Sequence, residues 1–178
     1  MDKTVVEKLN IRRLVLTSLF FAVAVVLSVV EDAVHLPLLA PGVKLGLSNI
    51  VVMYSLFFLG KKQAFAVAFL KSFFVLITRG YIAGLISFSG GLSSIAAMSL
   101  LLFFLGNKIS YLTISISGSI FHNFGQLAIV SLLYTNLLFV SHIPILLISG
   151  IVAGAATSTL LRVVLPALNR LGLLQTTR

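Results

Sequence analysis

The sequence predicts an all-α integral membrane protein, six transmembrane helices with both termini cytoplasmic, and three observations carry that expectation. The 178 residues are 59% hydrophobic and 10% charged, with a mean hydropathy of +1.15. No water-soluble fold hides that much apolar surface while keeping a polar exterior. The apolar residues fall into six runs bounded by charges and turn formers. The basic residues stand between those runs instead of clustering on one polar face, so the net charge of +9 reads as a topology signal and not as a nucleic-acid footprint.

The runs are residues 14–30, 44–59, 63–79, 82–105, 109–135 and 143–165, taken together as a single membrane domain over residues 1–178. Crossing a hydrocarbon layer about 30 Å thick takes about 20 helical residues, so the second and third runs are short and must borrow from their flanks. The first run has a basic start and contains Ala22-Val23-Ala24, but that tripeptide lies inside the apolar stretch, so a transmembrane helix is expected over a cleaved signal. With the amino terminus inside, Lys3, Lys8, Arg12, Arg13, Lys61, Lys62, Lys108, Arg162, Arg170 and Arg178 share the cytoplasmic side, which is the side that retains Lys and Arg in a cell membrane. Glu31 and Asp32 then lie outside, as does a loop from Tyr134 to His142 that has no basic residue.

Three cations break this pattern. After Asp32 the chain has no acid, yet Lys44, Lys71 and Arg79 fall within or at the ends of spans. Lys71 sits near the middle of the third run, with about 10 Å of helix rise on either side. An ionised group there costs on the order of 2.5–3.5 kcal/mol on insertion scales and turns toward the bundle interior or a cavity. Its partner must be Glu31 or Asp32 folding back, dipoles and water, or a bound anion. Lys44 and Arg79 at the outer span ends can snorkel when taken singly. With Lys71 they outline a funnel of positive potential, joined by Thr78 seven residues beyond Lys71 and by Ser48 and Asn49 after Lys44.

In the fifth run Ser115, Ser119, His122 and Gln126 recur on one helical face, with Asn123 beside them. Ser115 and Ser119 suit cross-helix hydrogen bonds; His122, Asn123 and Gln126 can fix a polar head group. Ser87, Gly91 and Ser94 share a face of the fourth run, as close helix packing requires, although a Gly90-Gly91 pair can also break a span. The first outer loop, residues 31–43, with Pro37 and Pro41 among leucines, is either a lid or a connector on the headgroups; His35 and His142 are isolated.

No cysteine, phosphate loop, acid-rich magnesium motif or paired intramembrane carboxylates are present. Thiolate metal sites and ATP hydrolysis by a Walker-type loop are therefore not expected of this chain, nor is diphosphate catalysis; no metal or cofactor is expected.

Pro41-Gly42-Val43-Lys44-Leu45-Gly46-Leu47-Ser48-Asn49-Ile50, Lys71-Ser72, Ser89-Gly90-Gly91 and His122-Asn123-Phe124-Gly125-Gln126 together resemble the Gx transporter family, also labelled heptaprenyl diphosphate synthase component I. That family is similar to the S components of energy-coupling factor (ECF) transporters. The resemblance implies a six-helix, non-enzymatic uptake subunit whose pocket opens outward and takes a vitamin, flavin, quinone or isoprenoid precursor. It also implies docking on a coupling subunit with its ATPases through small residues of the first helix, for which Ser18 and Ala22 are the nearest match. The synthase label implies an alternative, a non-catalytic membrane accessory subunit of isoprenoid synthesis; a purely structural membrane protein is the third reading.

Overall fold

The computed structural model describes residues 3–33, 46–106, 109–133 and 137–170, with side chains for 10–33, 46–106, 109–133 and 143–163. Six helices follow one another: α1 Lys3–Ala33, α2 Leu47–Phe58, α3 Lys61–Arg79, α4 Tyr81–Leu105, α5 Tyr111–Leu133 and α6 Leu137–Arg170. Four of them, α1, α4, α5 and α6, contain stretches long and apolar enough to cross a membrane. The protein is a multi-pass helical membrane protein.

Each helix coincides with an apolar run, but α1 and α6 extend well past theirs. α1 begins at Lys3 and α6 runs to Arg170, well beyond the apolar cores at 14–30 and 143–165. Hydropathy marks the segment that sits in lipid, whereas a helix continues through polar residues until something stops it. Residues 137–142, expected as an outer loop, likewise belong to α6, which carries Pro144 within it.

α2 differs in the opposite sense. Its 12 residues span about 18 Å, short of the hydrocarbon thickness. Every residue from Ser48 to Leu56 is buried, so its neighbours and not lipid surround it.

The links are tight where glycine allows them. Gly80 alone joins α3 to α4 at φ 90° and ψ 173°, a region essentially closed to residues with a Cβ, and its N–H closes on Leu76 O at 3.0 Å. The α4–α5–α6 layer packs through small residues. A Cβ on Gly118 would meet Met98 Sδ at 2.7 Å, and one on Gly154 would strike the Ile116 backbone. α4 continues unbroken through Gly90 and Gly91, so the packing reading of that pair holds: a Cβ on Gly91 would lie 3.2 Å from Ala68 Cβ of α3.

Two apolar clusters bracket the bundle's interior. One joins Ala24, Val52, Met53, Val67, Met98 and Ile114 from α1 to α5. The other joins Ile86, Leu127, Val130 and Leu146 between α4, α5 and α6. The polar side chains described next converge between them.

Candidate functional site

A chamber of about 220 Å³ lies where the last turn of α1, the first turn of α2, the second half of α3, the start of α4 and the middle of α5 meet. α1 and α3 both run toward it from the end that carries Arg12, Arg13, Lys61 and Lys62, so the chamber is at the opposite end of the bundle. Its polar wall comprises Ser28, Glu31, Ser48, Lys71, Arg79, Ser87, His122 and Gln126; Val75, Ala83 and Ile86 complete it.

Lys71 is 3% exposed and projects from α3 into this space, where Nζ donates to Ser48 Oγ of α2 at 3.0 Å. Its placement at mid-helix is thus met by a cavity, as an intramembrane cation requires. His122 and Gln126, one turn apart on α5, line the opposite side with Gln126 Nε2 and His122 Nε2 3.0 Å apart. His122 reaches this position because two glycines make room. A Cβ on Gly90 would meet His122 Cε1 at 2.8 Å, and one on Gly46, itself at φ 83°, would meet His122 Cδ2 at 3.0 Å.

The acids do fold back. Glu31 is buried, and its Oε1 accepts the N–H groups of Gly46 and, at 3.4 Å, Leu47. A carboxylate thus sits on the amino-terminal end of α2, where the helix dipole favours negative charge. Arg79 forms an ion pair with Asp32 and donates from Nη2 to Ser28 O at 2.6 Å and Ser28 Oγ at 3.1 Å. The funnel of unneutralised cations therefore needs correction: among the described residues, Lys71 and Arg79 share the chamber region with Glu31 and Asp32, and the wall carries both signs. Two carboxylates at the mouth of α1 provide the balance that burying two cations demands.

Of the residues singled out in the sequence, Ser48, Lys71, Arg79, His122 and Gln126 come together at the chamber. Three others turn elsewhere. Asn49 Nδ2 donates to Ser94 Oγ at 3.1 Å, joining α2 to α4. Asn123 Nδ2 donates to Leu146 O at 2.9 Å and Ser149 Oγ at 3.0 Å, joining α5 to α6. Thr78 keeps the angular position of Lys71 but lies about 10 Å farther along the helix, where it is exposed and its hydroxyl returns to Phe74 O at 2.9 Å. Lys44, the other half of the outer funnel, and loop residues 34–43 lie outside the described residues. Ser18 and Ala22 are exposed on α1. Ser115 is buried with no hydrogen-bond partner for Oγ, so the cross-helix bond expected there is not made.

Sequence reasoning did not place Ser28 and Ser87 at the site. The signal was present for Ser28, which lies three and four residues before Glu31 and Asp32 and so on their helical face. Ser87 joins through α3, since Ser72 Oγ donates to Ala68 O at 2.8 Å and lies 3.3 Å from Ser87 Oγ. Among the described residues no three His, Asp or Glu side chains converge as metal ligands.

The chamber can accept a small polar group, offering ammonium, guanidinium, hydroxyl, amide and imidazole groups beside one carboxylate, behind a partly apolar rim. The heptaprenyl diphosphate synthase component I profile matches residues 20–164, which contain every chamber residue. No curated protein and no solved structure matches the sequence. With the profile covering all but the two ends of a 178-residue chain, the protein belongs to the heptaprenyl diphosphate synthase component I family.

Proposed function

We propose that this protein is a membrane substrate-binding and uptake subunit, similar to the S components of ECF transporters, that receives the anionic head of a small or amphipathic metabolite in the Lys71 chamber. The single observation that carries this reading is a buried lysine at mid-helix whose ammonium borders a cavity instead of lipid. The chamber lies opposite the basic end of the bundle, which under the positive-inside rule supports a mouth that opens outward.

The volume narrows the cargo. At about 220 Å³ the chamber falls below the roughly 300 Å³ at which pockets for drug-sized ligands begin, which favours seating a phosphate or carboxylate head over enclosing a whole flavin. An apolar tail would leave past Val75, Ala83 and Ile86. Lys71 is assigned the role of point charge to the head, with Ser48, His122 and Gln126 fixing its orientation. The ligand's anion competes with Glu31 for the amino-terminal end of α2, and displacing that carboxylate loosens the outer end of α1. Since α1 also carries the exposed Ser18 and Ala22, this helix links occupancy to docking on a coupling subunit and its ATPases.

The family description supports a second reading: a non-catalytic membrane subunit that serves a prenyl-transferring enzyme and holds the diphosphate head of its substrate or product. The test is binding by purified protein in nanodiscs, with prenyl diphosphates, quinone precursors and flavins as ligands, together with capture of partners from native membranes. A ligand whose affinity collapses in Lys71→Met, with recovery of coupling and ATPase subunits, supports uptake. The same ligand with a soluble prenyl transferase supports the accessory reading, and equal binding by Lys71→Met overturns the chamber's role.

A further inference from the structure

We infer a second binding site at the basic end of the bundle, a groove between α1 and α3 that seats the phosphate of an anionic phospholipid. The groove measures about 320 Å³, and its polar rim is Asn10 and Arg13 of α1 with Lys62 and Gln63 of α3. Two cations from separate helices therefore face one concavity, and no carboxylate lines it among the described residues. Arg12 and Lys61 stand beside them in sequence.

A second feature adds to the positive field. α3 starts at Lys61 after Gly60, which supplies no side-chain cap, so the unpaired first-turn amides and the positive end of the helix dipole lie at Lys62 and Gln63 themselves. Such an end favours phosphate oxygens, and it acts here together with two side-chain cations.

The direction of polarity identifies a lipid and not a soluble anion. Both helices leave this end of the bundle in the same sense, and on both the lining changes from polar to apolar with depth: Arg13 precedes Leu14 on α1, and Lys62 and Gln63 precede Ala66 on α3. Thr17, the one deeper polar group, has its hydroxyl engaged with Arg13 O at 2.7 Å. Farther along α3, Phe69 and Phe73 are exposed, so the helix that bears Lys62 turns apolar side chains outward toward mid-membrane, with Phe69 also meeting Phe88 of α4. A phosphate at the rim with chains running inward reproduces this gradient, and basic pockets between membrane helices are where anionic headgroups bind. A free phosphate or an acidic protein would make no use of the apolar floor.

The test uses the full-length protein in mixed nanodiscs of phosphatidylglycerol and phosphatidylcholine, with lipids that remain bound after extraction counted by native mass spectrometry. Wild type should retain phosphatidylglycerol over phosphatidylcholine about tenfold, and the preference should fall toward unity in Arg13→Gln/Lys62→Gln. The charge-conserving pair Arg13→Lys/Lys62→Arg should keep it, which separates a charge effect from misfolding. Inorganic phosphate at millimolar concentration should leave the retained lipid in place. Equal retention of both lipids by wild type would overturn the proposal in favour of an acidic protein partner. Full displacement by inorganic phosphate, or an undiminished preference in the Gln pair, would overturn it as well. Ligand binding at the Lys71 chamber is indifferent to these variants, so this result and the proposed function stand or fall separately.

Discussion

Each end of the bundle presents two cations to a concavity, and the two ends treat them in opposite ways. At the chamber, Lys71 is buried and Arg79 partly so, and Glu31 and Asp32 are drawn in with them. At the groove, Arg13 and Lys62 are exposed and no acid lines the wall among the described residues. The difference follows from dielectric. A cation removed from water must be matched by a charge inside the protein, because leaving it unmatched costs several kcal/mol. A cation at the headgroup level can leave its matching to the membrane. In the proposed roles, a ligand at the chamber would displace an internal partner, whereas one at the groove would not.

The largest effect that would break this comparison comes from Lys71→Met. It should weaken an anionic ligand by at least about 30-fold in nanodisc titrations while leaving lipid selectivity at the other end unchanged, the usual consequence of truncating one member of a buried charged pair. Glu31→Gln is smaller and opposite in sign: with the competing carboxylate gone but an acceptor oxygen kept for the α2 amides, an anionic ligand should bind about tenfold tighter. A ligand bearing an ammonium group would instead bind more weakly to that variant, so the same titration sharpens the identity of the cargo.

Gly154→Val addresses the scaffold the two ends share. Its side chain would enter the Ile116 backbone of α5, and overpacking of this kind costs about 1–3 kcal/mol, visible as a lower unfolding temperature with both sites weakened together. The smallest effect on binding is expected from Asn123→Ala, less than about twofold. Its cost should appear in stability, about 1–2 kcal/mol, from the two hydrogen bonds lost across to α6, where Ser149 Oγ still donates to Leu146 O at 3.0 Å.

That contrast between Lys71 and Asn123 also measures how far the site was legible in the sequence. A charge at mid-span has few places to go, so Lys71 pointed to a cavity unaided. An amide has many, and the helical face of Asn123 or Asn49 does not tell whether a ligand or a neighbouring helix waits there; both proved to be ties between helices. Glu31 and Asp32 were read as outer-loop residues because their charge ends the apolar run, yet α1 continues through them and carries them to Ser28, Arg79 and the start of α2. The six helices themselves were legible from apolar runs, since lipid imposes that pattern directly. Their ends were not, because water imposes no comparable limit on α1 and α6.

The brevity and enclosure of α2 bear on how the protein is made. A helix of twelve residues, three of them polar, is too short to halt in a translocation channel unaided, and α3, which follows it, carries Lys71. Nascent chain emerging up to Gly80 therefore holds one competent anchor, α1, and two weak candidates. Stable residence of the α2–α3 pair must wait until α4 and α5 have arrived to enclose it, so assembly of this bundle cannot proceed strictly in the order of synthesis, and ribosome-bound chains cut after residue 80 should leave that pair accessible to water-soluble labelling reagents.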